Sequence, residues 1–121
     1  MDFNHAKSIY LQIVDYVCEQ ILCNKWKPGN RLLSVRELGS NLEVNPNTVL
    51  RAYEILQNMN IITNKRGIGY FVADNAIEKI QIARKERFFK EELPVLFKNM
   101  DLLQINFSEI ENYYNEFHNN K

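Results

Sequence analysis

The fold is decided by residues 34–59, which read SVRELGSNLEVNPNTVLRAYEILQNM. Ser34 followed by Glu37 matches a capping box, in which a hydroxyl and a carboxylate each accept a backbone N–H where a helix starts. Asn45 followed by Pro46 predicts a second helix start, because asparagine caps well and proline suits the first helical position. The turn between these two helices is about three residues long, and this spacing indicates a helix-turn-helix.

The second of these helices, predicted over residues 46–59, has two chemically different faces. Its apolar face carries Val49, Ala52, Tyr53 and Leu56. Its opposite face carries Asn47, Leu50, Arg51 and Glu54, with Thr48 at the edge. Such an outer face suits the major groove of DNA, where arginine pairs with guanine, asparagine pairs with adenine and an apolar group contacts the thymine methyl. Thr48 and Ser34 could donate to phosphates. The alternative is that these are only solvated residues of a small helical domain.

Two short β-like runs follow, at residues 61–64 and 70–72, with a glycine-containing loop between them. This pattern predicts a hairpin, which would form the wing of a winged helix-turn-helix. Lys65 and Arg66 would lie at its tip, within reach of phosphates or of an adjacent minor groove. Gly67 permits a positive φ in the same loop. The alternative is a plain surface hairpin with a glycine turn.

A helix is also predicted before this region, over residues 8–24, where apolar residues recur at three- and four-residue steps. Pro28 followed by Gly29 marks the turn after it. Together these elements predict a mainly α fold with a small β-hairpin wing. We assign the winged helix-turn-helix to residues 1–75.

The remainder, residues 76–121, is predicted to be a helical dimerisation region. Pro94 should kink or break its long helix, because proline lacks the N–H that a helix interior uses. Ser108 with Glu111 matches a capping box, which should open a last helix.

The tail has more apolar residues than two short helices can bury. The predicted dimerisation surface comprises Ile77, Ile80, Phe88, Phe89, Leu93, Leu96 and Phe97. Segments of about 40 residues seldom hold a core alone, and an isologous dimer is the commonest assembly that supplies a partner. The alternative is that the tail folds back on its own winged domain and leaves a monomer.

Composition limits the classes of function. The 121 residues carry 15 basic and 15 acidic side chains, and this balance counts mildly against a nucleic-acid binder, although binding uses a local patch. No apolar run approaches the ~20 residues of a membrane span, and the N-terminal MDFNHAKS is unlike a signal peptide. We therefore expect a cytoplasmic protein without membrane contact, in which Cys18 and Cys23 are reduced.

Catalysis finds little support in the sequence. His5 and His118 are isolated and do not have metal-ligand spacing. The two glycines of RGIG are too few for a phosphate-binding loop. We therefore expect no enzymatic activity, no metal and no cofactor. The rival class of function is a winged helix that binds another protein, for which a neutral net charge would be natural.

Four motifs carry a resemblance to a known family. They are IYLQI, KPGNRLLSVREL, VNPNTVLRAYEIL and RGIGYFV, and they lie within residues 9–72. In this order and at this spacing they resemble the DNA-binding domain of the GntR family of bacterial transcription regulators. The short helical tail resembles that of the YtrA subfamily, which has two helices in place of a large effector domain.

The resemblance implies a winged-helix repressor that binds a short palindrome in double-stranded DNA as a homodimer. The positions it implies as DNA contacts are Ser34, Arg36, Thr48, Arg51 and the Arg66-Gly67 wing tip. One departure is Leu33, where the family usually has a proline that pre-sets the approach to the second helix. The tail is too small to enclose a ligand pocket in one chain, so an unknown small-molecule effector would need a pocket at the dimer interface.

Overall fold

The computed structural model of the protein describes residues 7–120. The N-terminal segment that contains His5, and the last residue, lie outside the described residues. The two helices of the helix-turn-helix are α2 (Val35–Leu42) and α3 (Pro46–Asn58). α2 ends where Glu43 adopts a left-handed conformation with φ 58°. The predicted helix-turn-helix is therefore confirmed.

Both helix starts form as predicted. The Ser34 hydroxyl accepts the Glu37 backbone N–H at 3.1 Å, and the Glu37 carboxylate accepts the Ser34 backbone N–H at 2.9 Å. At the start of α3, the Asn45 side chain accepts the Asn47 backbone N–H at 2.8 Å. Pro46 takes the first helical position, where its missing N–H costs no hydrogen bond.

The helix before them, α1 (Ile9–Leu22), is two residues shorter at its C-terminal end than predicted. The chain leaves the helix because Asn24 takes a positive φ of 60°. The backbone N–H groups of Lys25 and Trp26 then both bond to the Gln20 carbonyl, at 2.9 and 3.1 Å. Trp26 packs edge-on against Tyr16 of α1, with ring centroids 6.1 Å apart.

The wing is an antiparallel pair, β1 (Ile62–Lys65) and β2 (Gly69–Val72), paired from Ile62 with Val72 to Lys65 with Gly69. β1 begins one residue later than predicted. Ile61 precedes the strand as a buried core residue, and the Ile61 carbonyl accepts a hydrogen bond from the Ala73 N–H.

The sequence did not predict the third segment on this hairpin. Asn30, Arg31 and Leu32 run beside β2, with a bridge between Arg31 and Phe71 and a 2.8 Å bond from the Leu32 N–H to the Tyr70 carbonyl. The wing is consequently anchored to the segment that leads into α2.

One core joins these elements with the start of α4 (Ala76–Arg87). Its buried residues are Ile13, Val14, Val17, Cys18, Ile21, Leu32, Leu38, Val49, Ala52, Tyr53, Leu56, Ile61, Ile62, Val72, Ala76 and Ile80. The chain divides into two compact units after Ile82, rather than at residue 75, because Ala76 and Ile80 belong to this core.

The second unit, described here over residues 83–120, is helical as predicted. α4 passes into a π-helical turn (Phe88–Glu92), and then into α5 (Leu93–Leu103) and α6 (Phe107–Asn119). The helix is not broken at Pro94. The irregularity lies in the preceding turn, whose wider winding accommodates a proline that cannot donate to a carbonyl four residues earlier.

The predicted capping box of α6 is wrong by two residues. Asn106, not Ser108, caps the helix, and it exchanges hydrogen bonds with Glu109 at 3.0 and 3.3 Å. α5 ends at Leu103, because the next residue, Gln104, has a positive φ of 55°, and the Ile105 N–H donates to the Met100 carbonyl. The first extended residue able to cap α6 is then Asn106.

Candidate nucleic-acid interface

The outer face of α3 is exposed as its sequence pattern predicts. Val49, Ala52, Tyr53 and Leu56 are each fully buried. On the opposite side Asn47, Leu50 and Arg51 are exposed, and Thr48 is half-buried. Leu50 keeps 37% of its surface in solvent, so an apolar side chain is available on this face. This face carries donors, acceptors and one apolar contact of the kinds that read base edges.

Two further predicted residues lie at the start of α2. Arg36 is exposed in the first turn, and Ser34 is half-buried at the cap. Hydrogen bonds from the Ser34 backbone and side chain, helped by the charge of Arg31, lower the pKa of Glu37. The Glu37 carboxylate therefore stays ionised and bound to the cap. The Ser34 hydroxyl oxygen accepts the Glu37 backbone N–H in that cap, and its hydrogen faces the Glu37 carboxylate.

Tyr53 of α3 contacts both the segment before α2 and the wing. Its hydroxyl donates to the Leu33 carbonyl at 2.7 Å, and its ring packs edge-on against Tyr70 of β2 with centroids 4.9 Å apart. Burial is the main cause of the raised pKa of Tyr53, so the phenol stays protonated and keeps donating. Leu33 occupies the usual proline position, and this hydrogen bond holds its carbonyl in place.

The wing tip is exposed at Lys65, Arg66 and Gly67, as predicted. Gly67 has a φ of 79°, and no atom lies within 4 Å of where a Cβ would stand. The Lys65 ammonium lies 4.4 Å from the centroid of the Phe71 ring, a cation–π contact that directs this charge along the wing.

Arg31 is a residue of this region that sequence reasoning missed. A Cβ on Gly69, whose φ is 142°, would stand 2.9 Å from the Arg31 Nε, so the guanidinium passes directly over the wing backbone. Arg31, Ser34, Arg36 and Gly69 line one cavity of about 250 Å³ between the wing and the start of α2. The fold thus gathers the α2 start and the wing. The sequence shows Arg31 only as a basic residue shortly before the Ser34 cap. Its neighbour in the structure, Gly69, lies 38 residues further along the chain.

Tyr10 is a second residue that sequence reasoning missed. The guanidinium carbon of Arg51 lies 3.8 Å from the centroid of the Tyr10 ring, in the first turn of α1. A helical wheel of α3 shows that Arg51 lies on the outer face. It cannot show which residue of another helix lies beside Arg51.

The predicted dimerisation residues divide into two groups. Ile80 is only 1% exposed and belongs to the core of the first unit, so its assignment to a dimer surface is wrong. Ile77 is half-buried against the same core. In the second unit Phe88, Phe89, Leu96 and Phe97 are exposed, and Leu93 is half-buried.

The exposed apolar surface of the second unit extends beyond these residues, in line with the prediction that two short helices cannot bury all apolar residues of the tail. No residue of the π-helical turn, α5 or α6 is buried. Further exposed apolar side chains are Val95, Leu102, Leu103, Phe107, Tyr113, Tyr114 and Phe117.

Other chemistries find no site in the part of the chain that the structure describes. Over residues 7–120, no three histidine, cysteine or acidic side chains come together as a metal site. His118 instead packs against the Tyr114 ring, with centroids 4.4 Å apart. No helix within the described range is both long and apolar enough to cross a membrane. Cys18 is buried and Cys23 exposed.

The family model for the bacterial regulatory proteins of the gntR family matches residues 9–72, which include α1, the helix-turn-helix and the wing. The chain belongs to the GntR family. It is therefore a DNA-binding transcription regulator with a winged helix-turn-helix, and not an enzyme.

Similarity to GntR-family proteins extends into the tail. The chain is 38% identical to the HTH-type transcriptional repressor YtrA of Bacillus subtilis, over 79% of its own length and 73% of that protein. It is 34% identical to the regulator YhcF of the same organism, over 89% and 88%. A crystal structure of a GntR-family protein from Bacteroides thetaiotaomicron superposes with a TM-score of 0.80 at 45% identity, covering 93% of this chain and 98% of that one. The short-tailed, YtrA-type architecture is thus shared by close relatives.

Proposed function

We propose that this protein is a cytoplasmic repressor that binds a palindromic operator in double-stranded DNA as a homodimer. The observation that carries the proposal is the outer face of α3, where Asn47, Leu50 and Arg51 are exposed opposite a fully buried face. Repression is favoured by the similarity to YtrA, which is itself a repressor.

Base recognition is assigned to α3 in the major groove. Arg51 suits guanine, Asn47 suits adenine and Leu50 suits the thymine methyl. Thr48 and Ser34 would donate to phosphates beside the groove, where the N-terminal ends of α3 and α2 also favour anions. Arg36, exposed in the first turn of α2, would reach an adjacent base or phosphate.

Backbone contacts are assigned to the wing, through Lys65, Arg66 and Gly67. The two cations would neutralise phosphates without discriminating sequences, and Gly67 lets the backbone approach closely because it carries no side chain.

Charge distribution supports this division. Residues 1–82 carry nine basic and eight acidic side chains, whereas residues 83–121 carry six basic and seven acidic ones. The net charge of +0 therefore hides a basic excess in the unit that holds the proposed interface.

The homodimer is proposed from the second unit. With no buried residue in α5 or α6, its aromatic and aliphatic side chains need a partner, and a second copy is the partner that a palindrome requires. Its surface comprises Phe88, Phe89, Leu93, Leu96 and Phe97. Two copies would set their α3 helices about one DNA turn apart. An unknown effector would bind between the two copies.

The test starts from a library of duplexes with a fully randomised central segment, on which no symmetry is imposed and from which the intact protein selects its preferred sequence. We expect a two-fold symmetric duplex to be enriched and bound about 10³-fold or more tighter than a scrambled duplex of equal composition. A reporter gene placed behind the selected duplex should be repressed. Equal binding of both duplexes would favour the rival function, in which the winged helix contacts another protein.

A further inference from the structure

Arg51 does not extend freely into solvent from α3. Its guanidinium carbon lies 3.8 Å from the centroid of the Tyr10 ring, so two helices that are distant in sequence meet at this cation–π contact. Tyr10 is half-buried and packs against the core, which fixes the plane of its ring. We infer that Tyr10 is a positioning residue that holds Arg51 for base recognition. The inference rests on the proposed role of Arg51 in reading DNA.

The geometry leaves Arg51 able to bind. A guanidinium that packs face-on against an aromatic ring uses its planar surface, while its N–H donors point outward in the plane. Those in-plane donors are the ones that pair with O6 and N7 of guanine. Stacking on Tyr10 therefore restricts the side chain without occupying the groups that would contact the base.

Restriction in the unbound protein has a direct consequence for affinity. A long arginine side chain loses rotamer freedom when it binds, and this loss weakens binding unless the side chain is already ordered. Removing the ring should weaken binding to the preferred duplex by about two- to tenfold. The opposite arrangement, in which Tyr10 holds Arg51 away from DNA, would make the same substitution strengthen binding.

The experiment compares Tyr10→Leu with Tyr10→Phe, a matched control that keeps the ring and removes only the hydroxyl. Affinities of the intact protein are measured for the duplex selected by the wild type and for its scrambled counterpart. We expect Tyr10→Leu to weaken only the selected duplex, and Tyr10→Phe to stay within about twofold of wild type. Thermal unfolding of each variant shows how much of any change comes from weaker packing at position 10.

A double-mutant cycle links the effect to Arg51. Adding Tyr10→Leu to Arg51→Ala should cause no further loss of affinity, because the ring would have nothing left to position. Without DNA, the side-chain NMR resonances of Arg51 should show a ring-current shift that Tyr10→Phe keeps and Tyr10→Leu removes. This signal reports the contact itself rather than the stability of the fold.

Four results would overturn the inference. They are unchanged or tighter binding by Tyr10→Leu, an equal loss in Tyr10→Phe, additive losses in the double variant, and an Arg51 spectrum that Tyr10→Leu does not alter. If Arg51→Ala itself leaves binding of the selected duplex unchanged, base reading by Arg51 fails and the inference fails with it. If Arg51→Ala weakens binding and Tyr10→Leu does not, only the inference fails.

Discussion

The two units of this protein contrast in what their helices bury. In the unit that ends at Ile82, every helix contributes side chains to one core, and Val49, Tyr53 and Ile80 have at most 1% of their surface exposed. In the unit after it, α5 and α6 bury no residue, although both are well-formed helices. Local helix signals are thus equally strong in both units, whereas tertiary packing within the chain is complete in only one.

This contrast supports our proposal that the second unit packs against a second copy of the chain. Helix capping by Asn106 and a turn of π-helix set the shape of the tail, but they contribute little burial of apolar surface. Helical stability in proteins comes mostly from packing an apolar face, so an unpartnered tail would be marginal. If this proposal is correct, the first unit should fold on its own, whereas the second unit should depend on a second copy of the chain.

The largest expected effect follows from removing the tail. A chain that ends at Ile82 should fold and be monomeric, because it keeps the whole core of the first unit. Its affinity for the selected palindrome should fall by about 10²- to 10⁴-fold, since the two DNA-binding units lose the effective concentration that linkage gives them. Sedimentation equilibrium and titration of the palindrome measure the two outcomes. A truncated chain that keeps full affinity would contradict the dimer.

A chain that ends at Asn75 is the informative control for this truncation. It lacks Ala76 and Ile80, which are 0% and 1% exposed in the core. We expect it to be much less stable than the chain ending at Ile82. Equal stability of the two truncations would show that α4 is not part of the winged unit.

The sequence predicted local features of the structure better than features that depend on packing between distant elements. The two helix starts at Ser34 and Asn45 were predictable because a cap and its partners lie within three residues of each other. Ile80 was misassigned because its apolar neighbours come from distant elements, so its pattern looks like any amphipathic helix. The box at Ser108 failed because the same spacing occurs at Asn106, and only the end of α5 decides between them.

In the candidate site, too, the sequence predicted the exposure of side chains but not the contacts between separate elements. Exposure of Arg51 follows from helical periodicity alone, and the structure shows it. The contacts of Arg51 with Tyr10, and of Arg31 with the backbone at Gly69, depend on how separate elements pack. No local pattern in a single sequence encodes such contacts.

The second prediction compares one substitution in each unit. Ile80→Ala should lower the free energy of unfolding by about 2–5 kcal/mol, because it leaves a cavity in a closed core. Phe97→Glu, at a side chain that is 49% exposed, should weaken dimerisation and leave the unfolding of the winged unit nearly unchanged. Fluorescence of Trp26, the single tryptophan, follows urea unfolding of that unit. We expect the monomer–dimer equilibrium of Ile80→Ala to match that of the wild type. If Ile80→Ala instead lost the dimer without being destabilised, the assignment of Ile80 to the core rather than to the dimer surface would be contradicted.

The third prediction concerns the winged unit's contacts with DNA. Arg36→Ala or Arg51→Ala should weaken binding of the selected duplex by about 1–3 kcal/mol if each side chain pairs with a base. The free energy of unfolding should change by less than about 0.5 kcal/mol for the exposed Arg36. For Arg51→Ala it should fall by up to about 1 kcal/mol, because this variant also loses the cation–π contact with Tyr10. Unchanged affinity in both variants, measured by fluorescence anisotropy, would remove them from the interface.

The smallest expected effect is on the salt dependence of DNA affinity, which should differ between variants of the wing cations and variants of the tail cations. Replacing both Lys65 and Arg66 by alanine should weaken all duplexes alike, because phosphate contacts do not depend on sequence. The slope of log affinity against log salt should fall by about one for each phosphate that no longer has a cation beside it, since fewer counterions are released. The matched control replaces Lys90 and Lys98, two exposed lysines of the second unit, and should leave the slope unchanged. Equal slopes for the wing variant and the wild type would show that the wing stays off the DNA. A reduced slope in the control would place the tail on the DNA, and the contrast between a DNA-binding unit and a dimerising unit would then be wrong.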